Sequence, residues 1–276
     1  MTTTGDTSSP SNRIKTKRPN TSGKTALVVV CQIAVIAALV GLWQLAAVLG
    51  WGRPVLVTSP GAVLEAFVTM ASEGLLWPNY WATLGAALVA LALAVLIGTP
   101  IGLLLGMLPF TAQVMNPIIN ALNGTPRIAL APVFIVIFGI NASSKIALAF
   151  TLGVFVMILN AQAGMRAADS EVVRMLTVMG ASKAKIVWTG MLPYAVPSLL
   201  AGVRLTIIFS LLGVVSQELI ASRDGLGQLI ARSAAAFDMA STYAVLILLV
   251  ITAAILNLVG DQVEKRLLKW QPPRVR

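Results

Sequence analysis

Three ionisable side chains, Arg127, Arg204 and Glu218, fall inside sequence that is otherwise almost free of charge. A charge at membrane depth is costly and is usually kept for a solute path or a partner group. Arg204 and Glu218 are 14 residues apart, almost four helical turns, so one helix would carry them on one face within about 40°. The chemistry they suit is passage of a solute. Plainer readings stand beside it: Arg204 is about 11 residues from one end of its run and can snorkel to the headgroups, and Glu218 can close the other end. The sequence has no histidine and a single cysteine, Cys31, in an apolar run. Metal and redox sites are thereby nearly excluded. No nucleophile–base set exists either, so the chain is not read as an enzyme, and no catalytic residue, metal or cofactor is expected. Ser22-Gly23-Lys24-Thr25 resembles the end of a phosphate-binding loop, but Arg18 stands where its first glycine belongs and no strand precedes it. That match is rejected.

A different kind of work is suggested by Arg166–Pro193, RAADSEVVRMLTVMGASKAKIVWTGMLP, the longest charged interruption in the chain. Asp169 or Ser170 can cap a short helix whose Val172, Met175, Leu176 and Met179 recur at i, i+3, i+4 and i+7. Arg174 lies among them. Gly180 suits the position just past that helix, where the absence of Cβ permits a positive φ. Ala181 follows, and Ser182 caps a second helix carrying Lys183, Lys185, Ile186 and Trp188. Leu192 and Pro193 lead into the next apolar run, and proline is tolerated in a first helical turn. Two short helices hinged at Gly180, with an apolar face and basic flanks, suit insertion into a groove on another protein. They equally suit an amphipathic helix lying among lipid headgroups.

The elements that must position these groups are membrane helices. Of 276 residues 57% are hydrophobic and 11% charged, with a mean hydropathy of +0.87, against about 25% charged in a soluble domain. Uncharged runs exceed the roughly 20 residues that cross a bilayer, so the chain is an all-α integral membrane protein. Residues 1–24 read as a disordered basic tail and 25–276 as the transmembrane domain. Spans are expected at about 25–49, 83–108, 113–139, 146–165, 194–221 and 240–260. The first is longer than the apolar core of a signal peptide, about 7–15 residues, and reads as an uncleaved anchor. Residues 62–70 suit a short surface helix. Gly98, Pro100, Gly102 and Gly106 are expected to loosen the second span. Pro117, Gly124-Thr125-Pro126 and Pro132 break the third beside Arg127, which fits a segment lining a cavity or a plain proline kink.

Six spans place both ends on one side. The tail, the 166–193 loop and the last residues hold fourteen Lys and Arg; Arg53, Lys145, Arg223 and Arg232 fall opposite. That bias makes the tail, loop and C-terminus cytoplasmic. It also explains the +10 charge without nucleic acid.

The 166–193 loop resembles the cytoplasmic motif of permease subunits of type I ABC importers, written E-A-A, three residues, G, nine residues, I-x-L-P. Gly180, Leu192 and Pro193 match it; Arg174, Met175 and Leu176 occupy the E-A-A positions and Gly190 the isoleucine. Other elements resemble the nitrate/sulfonate/taurine branch: Ser59-Pro60-Gly61-Ala62-Val63, Asn116-Pro117-Ile118-Ile119, Ala131-Pro132-Val133-Phe134 with Phe138-Gly139, and Glu218 followed by Gly225-Leu226-Gly227. The likeness covers about 55–270. It implies a multi-pass permease in the cell membrane, with a two-helix coupling loop docked into separate ATPase subunits. It further implies two such ATPases, an extracytoplasmic solute-binding protein and a homodimer of this chain around a central path. Hydrolysis of ATP would then belong to the partner. Relatives in that branch carry nitrate, sulfonates, taurine or pyrimidine precursors. An ion-coupled secondary transporter is the alternative, but such proteins need acidic or histidine relays within spans; Glu218 is the one acid here.

Overall fold

Apolar run length dictates helices, and helices are what the chain builds. In a computed structural model, residues 21–50 and 58–269 are described, and no strand occurs among them. The expected tail therefore lies outside the described residues, except that Thr21–Lys24 already belong to the first helix. Two units are resolved, residues 1–51 and 52–276. The first contains α1 (Thr21–Val48), whose described side chains from Leu27 onward are uncharged. A helix apolar all round is suited to lipid on every side.

The second unit begins with α2 (Pro60–Ser72). Ser59 caps it, accepting from the Ala62 amide at 3.2 Å, and Pro60 takes the first helical position. Val63 and Met70 are buried and α2 packs on the last helix, so it is more than a surface helix. Next comes α3 (Leu76–Met107), which starts seven residues before the expected span and absorbs Trp77, Tyr80 and Trp81 into its first turns. Their rings meet edge to face at 6.1 and 5.3 Å.

The second span is not loosened as its glycines and proline suggest: with Gly98, Pro100, Gly102 and Gly106 in it, α3 still runs unbroken through Pro100. A Cβ on Gly98 would stand 2.8 Å from Met157 Cβ, and one on Gly102 would stand 2.6 Å from Ala161 Cβ. The glycines are seats for the neighbouring helix α6 (Ala142–Arg166). In lipid, where apolar contact alone drives little association, small residues let backbones approach closely.

After Leu108 the chain turns into α4 (Pro109–Gly124), breaks at Thr125-Pro126, and continues through a 3₁₀ turn (Arg127–Leu130) into α5 (Ala131–Phe138). The two parts are bent by 77°. Beyond α6 come α7 (Ser170–Val178), α8 (Lys183–Lys185), a π-helical turn (Ile186–Met191) and α9 (Leu192–Ile220). Finally α10 (Leu226–Ala235) buries Leu226, Leu229 and Ile230 before α11 (Met239–Leu267). The core is the trio α3, α6 and α9, with α6 packed along both others. Five described helices are long and apolar enough to cross a bilayer, or six if the bent pair counts as one.

Candidate functional site

Glu218 ends α9 fully buried and fully partnered. Its Oε1 accepts from Lys145 Nζ at 2.9 Å and its Oε2 from the Gly227 amide at 3.0 Å. The Thr83 hydroxyl donates to the carboxylate at 2.8 Å and accepts from the Leu226 amide at 2.8 Å. Lys145, 1% exposed, also reaches Asp224 Oδ1 at 2.7 Å, and Asn79 Oδ1 accepts from the Gly225 amide at 2.7 Å. Thus α3, α6, α9 and the α9–α10 turn meet at one carboxylate. The glycine pair makes this possible. Gly225 has φ +113°, and a Cβ on Gly227 would stand 2.7 Å from Glu218 Cβ, so only bare backbone can bring its amide to the oxygen.

Glu218, expected to line or gate a path, is enclosed in this conformation: no face of the carboxylate is exposed. Lys145, which sequence reasoning placed among the far-side loop charges, is its partner. The available signal was that Lys145 is the only charged residue between Arg127 and Arg166. The span was expected from 146, whereas α6 begins at Ala142 and carries Lys145 inside its first turn.

Arg127 follows the break at Pro126 and ties it to α6. Its guanidinium donates to the carbonyls of Thr151 and Leu152, to Asn123 O at 3.0 Å and to Asn123 Oδ1 at 2.6 Å, and lies 5.0 Å from the Phe155 ring centroid. Arg204 does not reach toward Glu218. It pairs with Asp261 and Glu264 on α11, since α11 continues to Leu267, beyond the expected end of that span near 260. The three intramembrane charges are therefore not brought together.

The 166–193 loop folds as a hinged hairpin. Asp169 caps α7, accepting from the Glu171 amide at 2.8 Å. Met179 closes the helix and Gly180 follows at φ +74°. The Gly180 amide bonds Thr177 O and the Ala181 amide bonds Leu176 O, both at 3.0 Å, a Schellman closure. Ser182 caps α8, accepting from Lys185 N at 3.3 Å. The second helix is not a separate short element, however. α8, the π turn and α9 form one helix over Lys183–Ile220, with the widened π turn at Ile186–Met191 placed where the ring and missing N–H of Pro193 would otherwise disturb the preceding turn.

The apolar face of α7 divides. Val172 and Leu176 turn inward: a Cβ on Gly190 would stand 2.8 Å from Leu176 Cδ1 and 4.0 Å from Val172 Cγ1. Gly190, at the motif's isoleucine position, is thus the seat that Leu176 fills. Met175, Val178, Met179 and Trp188 point away, Val178 82% and Met179 75% exposed. Arg174 is exposed beside them; Leu192 and Pro193 are half-buried at the start of α9. Val178 and Trp188 were not among the expected contact residues, because heptad-like spacing does not say which neighbour occupies a face.

Beside the hairpin, a cavity of about 540 Å³ opens between α4 and α6, with Asn116, Asn120, Gln162 and Arg166 in its wall. Comparison with known proteins places these features in context. A family model described as "binding-protein-dependent transport system inner membrane component" matches residues 98–271. The taurine transport system permease protein TauC of Escherichia coli strain K12 is 30% identical over 248 residues, covering 88% of this chain and 90% of that protein. The putative aliphatic sulfonates transport permease protein SsuC of the same organism is 31% identical over 235 residues, covering 85% and 89%. Among solved structures, the inward-facing MetNI methionine ABC transporter gives a TM-score of 0.63 at 22% identity, over 70% of this chain and 98% of that one; this likeness is one of fold.

Proposed function

The chain belongs to the binding-protein-dependent transport system inner membrane component family, and from that premise we propose that it forms the path for a small sulfonate-like solute in an ATP-driven importer. Two ATPase subunits bind the hairpins of a homodimer, and a binding protein delivers solute from the side opposite the tail. The chain itself hydrolyses nothing. The observation that carries this reading is the hairpin's exposed apolar set, Met175, Val178, Met179 and Trp188, held on a rigid, capped turn. Apolar knobs without a partner inside their own chain fit a groove on another protein.

Val172 and Leu176 brace the hairpin from within, Arg174 meets the rim of the ATPase groove, and Gly180, Ala181 and Ser182 set the angle. Because Lys183–Ile220 is one helix, displacement at the hairpin passes Leu192 and Pro193 and reaches the Glu218 node at its far end. Arg204 and Arg127 hold that moving helix and the broken span to their neighbours. The path roles of the three charges are thus exerted through the walls rather than by contact with solute. Rigid-body rocking of this kind is one route to alternating access.

Gly180→Val tests the hinge. A Cβ there meets nothing within 4 Å, so its cost is conformational, about 1–2 kcal/mol at a positive φ. The variant is expected to insert in normal amounts yet lose ATP-driven uptake at least fivefold. Val178→Asp with Met179→Asp is expected to abolish retention of the ATPase on purification. Wild-type retention and uptake in both variants would assign the hairpin to the headgroups. Orientation is tested separately, with Cys31 replaced by serine: Ser72→Cys is expected to react with an impermeant thiol reagent in intact cells. Ala184→Cys is expected to react only after lysis, and labelling of position 184 in intact cells would overturn the topology.

A further inference from the structure

The cavity between α4 and α6 is walled by two pairs of polar residues, each pair one helical turn apart: Asn116 with Asn120 on α4, and Gln162 with Arg166 on α6. Leu159, Ala163 and Ala167 complete it without charge. Gln162 is 4% exposed and its Nε2 donates to Asn116 Oδ1 at 2.9 Å. That bond occupies the Asn116 oxygen and leaves its NH₂ as the free end. The side chains of Asn120 and Arg166 make no hydrogen bond or ion pair among the described residues. Besides amide oxygens, the wall offers amide N–H donors and one cation, and no carboxylate lines it. Its volume, about 540 Å³, lies within the roughly 300–1,000 Å³ of small-ligand sites.

We propose that this cavity binds a small oxyanion, a sulfonate leaving the path on the hairpin side, through the Arg166 guanidinium and the amides of Asn116 and Asn120. A guanidinium presents a planar fork of donors that matches two oxygens of a tetrahedral anion, and a charge-assisted pair of this kind is stronger than a neutral one. An amide then takes the third oxygen. The proposal rests on the importer reading, which supplies the reason for a solute to pass this end of α6. A lipid phosphate carries the same oxygens, and the test separates the two sources.

The full chain, with any ATPase that co-purifies, is placed in phosphatidylcholine nanodiscs and titrated with methanesulfonate at constant ionic strength. Dimethyl sulfone, nearly the same shape without charge, is the control. The expected result is a saturable rise in unfolding temperature with methanesulfonate and none with dimethyl sulfone. Arg166→Gln and Asn120→Asp, both at exposed positions, are each expected to weaken the response at least tenfold without shifting the ligand-free unfolding temperature. No saturable response, or an equal one in both variants, overturns the site. In discs containing phosphatidylglycerol, methanesulfonate affinity within threefold of the first value supports the solute. Its abolition there, with Arg166-dependent retention of phosphatidylglycerol in detergent, gives the site to lipid and overturns the proposal. Failure of the importer reading is read independently, as the absence of any ATPase from the purified chain.

Discussion

Glu218→Ala is expected to remove most of the folded protein, because it takes from the 1%-exposed Lys145 ammonium its one buried counter-charge and leaves it only Asp224, whose carboxylate is 62% exposed. Breaking a buried ion pair by deleting one partner costs about 3–5 kcal/mol where an uncompensated charge remains, and the exposed Asp224 carboxylate places this case toward the lower end. The Thr83 hydroxyl and Gly227 amide lose their acceptor as well, at about 1–3 kcal/mol for each buried group left unpaired. Set against a net stability of about 5–15 kcal/mol, that is most of the margin. The replacements that keep shape should separate these costs. Glu218→Gln retains an acceptor for Gly227, and Lys145→Met retains the apolar stem; each single change is expected to destabilise. Their combination is expected to recover much of the loss, because no lone charge is left behind. Asp224→Ala should cost less than about 1 kcal/mol, as its carboxylate is 62% exposed and screened. Monodisperse yield and unfolding temperature in detergent read all five. A Glu218→Ala protein with wild-type yield and an unfolding temperature within about 2 °C would remove the node from the account of the fold.

Gly102→Val is the second large effect, and it acts through shape alone. A Cβ at Gly102 would overlap the Ile158 carbonyl and stand 2.6 Å from Ala161 Cβ and 3.0 Å from the Ile158 carbonyl carbon. Two of these three are backbone atoms of a buried helix, so no side chain can swing aside. The helices α3 and α6 must part, and contacts along the seam weaken together, as they do in any close-packed interior. Overpacking of a core costs about 1–3 kcal/mol, and valine adds two further methyl groups to the clash. The control lies on the same helix: a Cβ at Gly85 meets nothing within 4 Å. Gly85→Ala should therefore leave stability unchanged or raise it by up to about 1 kcal/mol, through helix propensity. Unfolding temperatures of the two variants, measured side by side, should move in opposite directions or differ by several degrees. Equal values would mean that the α3–α6 seam is not closed as described.

The hairpin shows where local reading succeeds and where it stops. Gly180 and Ser182 were legible as hinge and cap, and the first cap was narrowed to Asp169 or Ser170, because capping depends on residues a few positions away, all within one stretch of sequence. The broken segment around Gly124-Thr125-Pro126 was legible for the same reason. Leu176 was not. Its spacing with Met175 and Met179 marks an apolar stripe, but the stripe is wide enough to split, and only Gly190, fourteen residues on, decides which half turns inward.

What the sequence by itself determined is the material: an all-helical chain of membrane-crossing length, its breaks, its basic hairpin, and a motif order that resembles one transporter branch. Run length, backbone torsion and charge placement are properties of neighbouring residues, so they can be read along the chain. The tertiary structure alone decided which buried groups meet. Glu218 finds Thr83, 135 residues away, and Lys145, 73 residues away; Arg204 finds α11 instead of Glu218. The physical reason lies in helices such as α3 and α9. Apolar almost throughout, they carry no hydrophobic stripe to fix their rotation about the axis, only small residues such as Ala90, Ala94, Gly98 and Gly102 at four-residue spacing on α3. That rotation is set only when Gly98, Gly102 and the other small seats close against a neighbour, and with it is set every polar contact the trio can make.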